Sequence, residues 1–154
     1  MNAKILLFSI TLFFSPSLWA LQGTSKLFGA GFQVGSSTGI NLKYWMHKNK
    51  AVDLSLSFSK NNVDLQSDFL FHKFDLIKIG KEKLTLHFGA GLRLHDKKNQ
   101  KDEFGIRVPL GVNYYLKDFQ TIPIDFFAEL APVFNLVSET GVDMNFYLGG
   151  RYYF

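Results

Sequence analysis

The sequence contains no cysteine, only four prolines in 154 residues, and no uninterrupted apolar segment long enough to form a spanning helix. Without cysteine the chain holds no disulfide, and it has no thiol to carry the lipid of a bacterial lipoprotein. Charge of one sign is also scarce, because 17 basic and 13 acidic residues leave a net charge of +4. That is far less basic than a nucleic-acid-binding surface, so we expect no nucleic-acid partner.

The first twenty residues have the three-part layout of a secretory signal. Lys4 precedes a ten-residue apolar run, 5–14, and a cut is expected after Ala20. A spanning helix needs roughly 20 apolar residues, so a cleaved signal is favoured over a membrane anchor. Leu18 stands three residues before the cut, where a small residue is usual, so the cut site is not defined to the residue. We therefore predict a signal at 1–20 and one domain at 21–154.

The rest of the chain alternates apolar and polar residues, the pattern of strands with one apolar face. In the last run Met144, Phe146 and Leu148 alternate with Asn145 and Tyr147. Eight such runs are found, at 27–35, 40–46, 51–60, 63–71, 84–95, 104–116, 122–133 and 143–154, and the fourth can extend to 79. A strand crosses a membrane in roughly 9–11 residues. The expected fold is all-β, an eight-stranded antiparallel up-and-down transmembrane β-barrel, without helices of ten or more residues.

The polar rows indicate which face points inward. They contain mid-strand charges of both signs and many glycines, whereas the apolar rows are bulky and nearly uncharged. A charge facing lipid at mid-depth costs roughly 2–4 kcal/mol, so we expect the apolar rows to face lipid and the charges to pair inside. Arg107, Glu129 and Arg151, from three sequential strands, are predicted to form a structural ionic network in the lumen. The alternative is a soluble lipocalin-like carrier, in which the apolar rows line a ligand cavity.

Two further features bear on the barrel. Aromatic residues gather at strand ends, as at 44–45, 114–115 and 152–154, where rings with a polar handle suit a membrane interface. Pro109 lies in the middle of the sixth run and has no amide hydrogen to donate to a neighbour. We therefore predict a local bulge or a broken ladder bond at Pro109.

Motifs that elsewhere indicate chemistry have structural explanations here. The FGAG stretches, 28–31 and 88–91, lie inside strands with no following helix to bind phosphate. Of the four histidines, His47, His72, His87 and His95, none is expected to pair with another on a shared face at metal-ligand spacing, apart from His87 and His95 at opposite ends of one strand. Asp125 and Glu129 lie about 13 Å apart along one strand, too far to act on one bond. We therefore predict no catalytic residue, no metal and no cofactor.

A lipid-modifying enzyme of the outer membrane is the enzymatic alternative. Its site would need a serine, a histidine and an acid at one lipid-facing position. Ser67 is the serine that interrupts an apolar row, and no histidine is expected on the same face in a neighbouring strand. The sequence therefore favours a protein without enzymatic activity.

The most polar segment, 96–102, is expected to be a loop exposed to solvent. Its lysines, Lys97, Lys98 and Lys101, form a candidate site for a polyanion or a host protein. With the start of the first strand in the periplasm, this loop would face the outside of the cell.

Several stretches resemble a known group of proteins. STGINLKYW (37–45), FGIRVPLGVNYY (104–115), IPIDFFAELAPVF (122–134) and GGRYYF (149–154) are similar to a spirochaetal family of small, largely uncharacterised OmpA-like barrels. The resemblance covers nearly all of 21–154. It implies a barrel in the bacterial outer membrane, in contact with outer-membrane lipid, and it carries over no catalytic or cofactor residue.

The last strand resembles the C-terminal signature of such barrels. Tyr152 and Phe154 are the residues that match it, and the resemblance implies that the barrel-assembly machinery recognises them. The function expected from the sequence is thus a small outer-membrane barrel with a side-chain-filled lumen, which is structural or binds a surface ligand through its outer loops.

Overall fold

The computed structural model describes residues 26–79, 82–98, 101–116, 122–137 and 141–154. The predicted signal, 1–20, lies outside them. Because apolar and polar residues alternate, the described chain forms extended strands throughout. There are nine: β1 Phe28–Gly35, β2 Thr38–His47, β3 Lys50–Ser59, β4 Asn62–Ile79, β5 Glu82–Lys97, β6 Glu103–Arg107, β7 Leu110–Tyr115, β8 Ile124–Asn135 and β9 Gly141–Tyr153.

The strands form one closed antiparallel ring. Apart from β6 and β7, strands that follow one another in the sequence pair, and β1 pairs with β9 to close the sheet. Both β6 and β7 pair with β5 on one side and β8 on the other, so the nine strands occupy eight positions around the ring. Closure removes the free edges that an open sheet would expose. The predicted all-β antiparallel barrel is confirmed.

β6 and β7 together form one strand of the barrel wall, called a wall strand below, which is interrupted at Val108 and Pro109. The register does not change across the gap, because Arg107 pairs with Gly91 before it and Leu110 with Phe88 after it. The carbonyl of Pro109 still accepts from the amide of Gly89 at 3.0 Å, but proline has no N–H to return that bond. The predicted broken ladder bond is therefore confirmed, and no bulge accompanies it.

The prolines on two neighbouring strands weaken the same part of the wall. The amide of Val108 donates to the carbonyl of Pro132 on β8 at 3.0 Å. Pro132 has no amide hydrogen to donate back. The wall strand therefore lacks one ladder bond to each neighbour at this height.

The two faces of the ring differ completely in chemistry. Leu54, Leu110 and Leu148 point away from the axis with 42%, 52% and 44% of their surface exposed, whereas Arg107 is 1% exposed. The buried polar side chains of the inner face include Lys43, Asp53, Asp64, Gln66, Asp68, His72, His87, Arg93, His95, Arg107, Asn113, Asp125, Glu129 and Arg151. The predicted orientation, with apolar rows outward and charges inward, is the one observed.

Glycines on the inner face make room for large side chains. A Cβ at Gly29 would lie 2.7 Å from the ring of Tyr153, and one at Gly111 would meet the imidazole of His87. At Gly31 the obstacle is the backbone of β9 itself. Both kinds of contact follow from the tight curvature of a small barrel, in which neighbouring strands and inward side chains crowd together.

We call the end of the ring where β1 begins and β9 ends the basal end, and the opposite end the apical end. The β4–β5 hairpin projects from the basal end. The last β3 partner of β4 is Lys50, which pairs with Phe71, yet β4 continues to Ile79. The predicted extension of the fourth strand to 79 is thus confirmed. Among the described residues, none belongs to a helix of the length and apolarity needed to cross a membrane.

Candidate functional site: the polar lumen

The centre of the lumen is organised around Arg107 of β6. Its guanidinium donates to Glu129 of β8 and to Gln66 of β4, and its Nε lies 3.4 Å from Oδ1 of Asp68. The aromatic face of Tyr147 lies 5.7 Å from the guanidinium carbon. Charge-assisted hydrogen bonds of this kind compensate the loss of hydration that burial imposes on each ion.

A second cluster surrounds Arg151 of β9, nearer the basal end. Arg151 donates to both oxygens of Asp125 on β8, at 3.0 and 2.9 Å, and to Asp53 on β3 at 2.6 Å. The hydroxyl of Tyr153 also donates to Asp125, at 3.1 Å. Phe127 places its ring 4.2 Å from the guanidinium carbon. This arginine therefore spans the barrel and neutralises two buried carboxylates.

His87 and Asn113 connect the two arginine clusters. Nε2 of His87 lies 3.0 Å from Glu129, and its Nδ1 lies 2.6 Å from the side-chain oxygen of Asn113. The amide nitrogen of Asn113 donates to Asp125 at 2.8 Å. Through these two residues a continuous polar chain runs from the Arg107 cluster to the Arg151 cluster.

The structure does not join Arg107, Glu129 and Arg151 into one direct network. Arg107 contacts Glu129 as the sequence predicted, but Arg151 binds Asp53 and Asp125 instead of Glu129. The reason is strand register: across β8 and β9, Asp125 pairs with Arg151 and Glu129 pairs with Tyr147. Strand order alone placed the rows side by side, and it did not give the height of each residue along them.

A third polar cluster lies at the apical mouth. Arg93 of β5 donates to Asp64 of β4 at 2.6 Å and lies 3.5 Å from Asp143, whose side chain is half exposed. His95 adds a contact of 2.9 Å to Asp64. The described residues contain no group of three or more potential ligands that could hold a metal ion.

The three lysines of the apical loop differ in environment. Lys97 ends β5 and pairs with Glu103 at the start of β6. Lys98 and Lys101 are exposed and lie beyond the strands. Two of the three predicted loop cations are thus available to a ligand, and the third is bound to its own hairpin.

Aromatic side chains crowd the basal end of the lumen. The ring centroid of Trp45 lies 4.4 Å from that of His72 and 6.2 Å from that of Phe74, on which it is stacked. The ring centroids of Phe74 and Tyr115 are 6.4 Å apart. Nζ of Lys43 lies 2.7 Å from Nε2 of His72 and 4.9 Å from the Trp45 ring. The alternation of the sequence puts Trp45 in the same row as Lys43, but it does not indicate that these rings assemble.

The residues of the predicted assembly signal lie on the outer face. Tyr152 and Phe154 are 51% and 62% exposed. Phe154 contacts Phe28 of β1 edge-on, with ring centroids 5.2 Å apart, and its amide donates to the carbonyl of Phe28 at 2.9 Å. These rings therefore lie at the seam where the first and last strands close the ring.

No protein-family model matches the chain, and no curated protein matches it. Among solved structures, the chain is similar to the N-terminal β-barrel domain of Pseudomonas aeruginosa OprF, with a TM-score of 0.60 at 14% sequence identity. The match covers 82% of this chain and 95% of that one. At this identity the likeness shows the fold, an antiparallel ring of the OmpA-like type, and the resemblance to the spirochaetal family stays a prediction.

Proposed function

We propose that this protein is an integral protein of the bacterial outer membrane, with a lumen closed by paired side chains. The observation that carries the proposal is the inversion of the two faces: leucine and phenylalanine cover the outside, while arginines and carboxylates fill the inside. Water would favour the opposite arrangement, because apolar surface is expensive to hydrate and unpaired ions are expensive to bury.

The backbone supports the same proposal. In hydrocarbon every backbone polar group must find its partner within the protein, and a closed ring of strands meets that requirement. The outward apolar rows also argue against a lipocalin-like carrier, whose apolar side chains would have to line the cavity.

The interior favours a structural role over general transport. The clusters around Arg93, Arg107 and Arg151 follow one another along the axis, and aromatic rings crowd the basal end. Side chains fill the interior of eight-stranded barrels in general. A solute would have to break ion pairs to pass through the lumen. Binding at the surface needs no such change, so we favour it over transport.

For surface binding we propose the apical loops, with the basal end in the periplasm. Lys98 and Lys101 are exposed there and carry positive charge. Host proteins and environmental polyanions would be the ligands of such a loop. Tyr152 and Phe154, exposed at the seam, are proposed as the residues that the barrel-assembly machinery recognises.

We propose no enzymatic activity. Ser67, the serine on the outer face of β4, pairs with Leu54 on one side and Leu92 on the other. Neither neighbour is a base, and nucleophilic catalysis needs one within hydrogen-bond reach. Analysis of lipid A acylation in cells lacking this protein tests the point, because a change in acylation would overturn it.

Refolding tests the central proposal. Residues 21–154, unfolded in urea and diluted into phosphatidylcholine vesicles, should insert and migrate differently on gels before and after heating. Dilution into buffer without lipid or detergent should precipitate the chain. A monomer that stays folded and soluble without lipid would overturn the proposal in favour of the carrier.

Protease treatment of intact cells tests the orientation. Cuts should be confined to 98–102, between β5 and β6, and to 136–140, between β8 and β9. Cuts within 116–123, between β7 and β8, would show that the barrel is inserted the other way round.

A further inference from the structure

We propose that Lys50 and Lys73, on the outer face at the basal end, form a binding site for the phosphate of an anionic phospholipid such as phosphatidylglycerol. This inference rests on the proposed membrane location. Lys50 begins β3 and pairs with Phe71 of β4, and Lys73 lies two residues further along β4. Directly paired residues share a face of the sheet, so Lys50 points outward with Phe71.

The two ammonium groups lie over adjacent aromatic rings. Nζ of Lys50 is 5.8 Å from the centroid of Phe71, and Nζ of Lys73 is 6.0 Å from that of Phe88. The two rings are themselves stacked, with centroids 5.9 Å apart. Cation–π contacts at these distances hold both lysines against one small patch of the wall.

These lysines are exceptional on their face. Among the strand side chains that the structure describes, Lys50 and Lys73 are the lysines that point outward, whereas Lys43 and Lys97 point inward. An outward charge is tolerated near the membrane interface and costly at mid-depth. Asp96, the outward acid of β5, lies at the apical end, where it pairs with Val63. Among the strand side chains that the structure describes, the outward lysines are therefore found at the basal end.

Charge complementarity selects the occupant. The rings of Phe71 and Phe88 are each 37% exposed, and they continue the apolar band that acyl chains would cover. A lipid whose tails lie on this band brings its headgroup to the rim where the two lysines lie. A phosphodiester with net negative charge offers oxygens to both ammonium groups, whereas a zwitterionic headgroup also brings a cation that they repel. His47, paired with Lys50, adds a third basic group at the edge of the patch.

Native mass spectrometry of the barrel, released from nanodiscs of phosphatidylcholine with a minor fraction of phosphatidylglycerol, tests the site. The lipid that stays bound to the wild type should contain a larger fraction of phosphatidylglycerol than the nanodisc membrane does. A lysine near a membrane surface contributes roughly a fivefold preference for anionic lipid, so Lys50→Ala or Lys73→Ala should lose about that factor. The double variant should lose about 25-fold, within the limits of additivity.

Matched variants make the result specific. Lys98→Ala/Lys101→Ala removes the same charge at the apical end and should leave retention unchanged, and Lys50→Arg/Lys73→Arg should preserve it. Unchanged retention in Lys50→Ala/Lys73→Ala would overturn the site. So would displacement of the lipid by millimolar glycerol phosphate, since the site would then recognise a free phosphate. Failure of the wild type to enter phosphatidylcholine nanodiscs would instead overturn the membrane location, and the site with it.

Discussion

The clusters around Arg107 and Arg151 contain the same chemistry but are built differently. Arg151 makes short bonds to two carboxylates, Asp53 and Asp125, from opposite sides of the lumen. Arg107 bonds to a single carboxylate, Glu129, and Asp68 lies further from it at 3.4 Å. We therefore expect the free energy of unfolding to depend on how many carboxylates lose their partner when a buried arginine is removed.

Removal of Arg151 should have the largest effect. Arg151→Met leaves Asp53 and Asp125 buried without their shared cation, and it should lower the free energy of unfolding by about 3–5 kcal/mol. Urea unfolding in phosphatidylcholine vesicles measures this through the fluorescence of Trp45, the one tryptophan in 21–154. Arg151→Lys should lose less, because lysine keeps the charge without the bidentate fork. Wild-type stability of Arg151→Met would show that the two carboxylates do not depend on this arginine.

Removal of Glu129 should cost less. Glu129→Ala leaves Arg107 with Asp68 and Gln66, so we expect a loss at the lower end of the range for a broken buried pair, about 3 kcal/mol. Heat-modifiable gel migration and urea unfolding report the change, with Glu129→Gln as the isosteric control. A loss greater than that of Arg151→Met would reverse the comparison between the two clusters.

The connection between the clusters should contribute a smaller amount. Asn113→Leu deprives both His87 and Asp125 of a partner and should cost about 1–3 kcal/mol, the desolvation penalty of buried groups left unpaired. A double-mutant cycle between Glu129→Ala and Arg151→Met, repeated in the Asn113→Leu background, measures whether coupling passes through Asn113. Equal coupling in both backgrounds would show that the coupling does not pass through Asn113.

The apical mouth should be the least sensitive region. Asp143 is half exposed, and Arg93 retains Asp64 without it, so Asp143→Asn should change stability by less than about 1 kcal/mol. The same urea titration measures it, and 1 M salt should abolish any difference because exposed pairs are screened. A loss comparable to that of Glu129→Ala would show that the mouth is as well sealed as the centre.

The strands and their faces could be predicted from sequence because the signal is local. A period of two identifies a strand, and the row with the charges identifies the inner face, as Lys43, Asp53 and Arg93 illustrate. The missing ladder bond at Pro109 could also be predicted, because the lack of an amide hydrogen is a property of proline itself. The side-chain contacts within the lumen could not be predicted in the same way. Glu129 and Arg151 come from neighbouring strands, yet they contact different partners.

What decides those contacts is the stagger between strands. A shift in register changes which side chains lie opposite one another, while the apolar and polar rows look the same in the sequence as long as the shift is even. The pairing of Asp125 with Arg151 follows from the register of β8 and β9. The contact of Arg151 with Asp53 needs, in addition, the closure of the ring between β9 and β1.

The amino-acid sequence alone therefore determined the number of wall strands, the face that points inward and the position of the broken ladder bond, because each is set by residues adjacent in the chain. Only the tertiary structure decided which ions pair in the lumen, where the aromatic rings gather and which lysines share a patch outside. These depend on the shear and closure of the ring, which bring together residues that are far apart in the sequence.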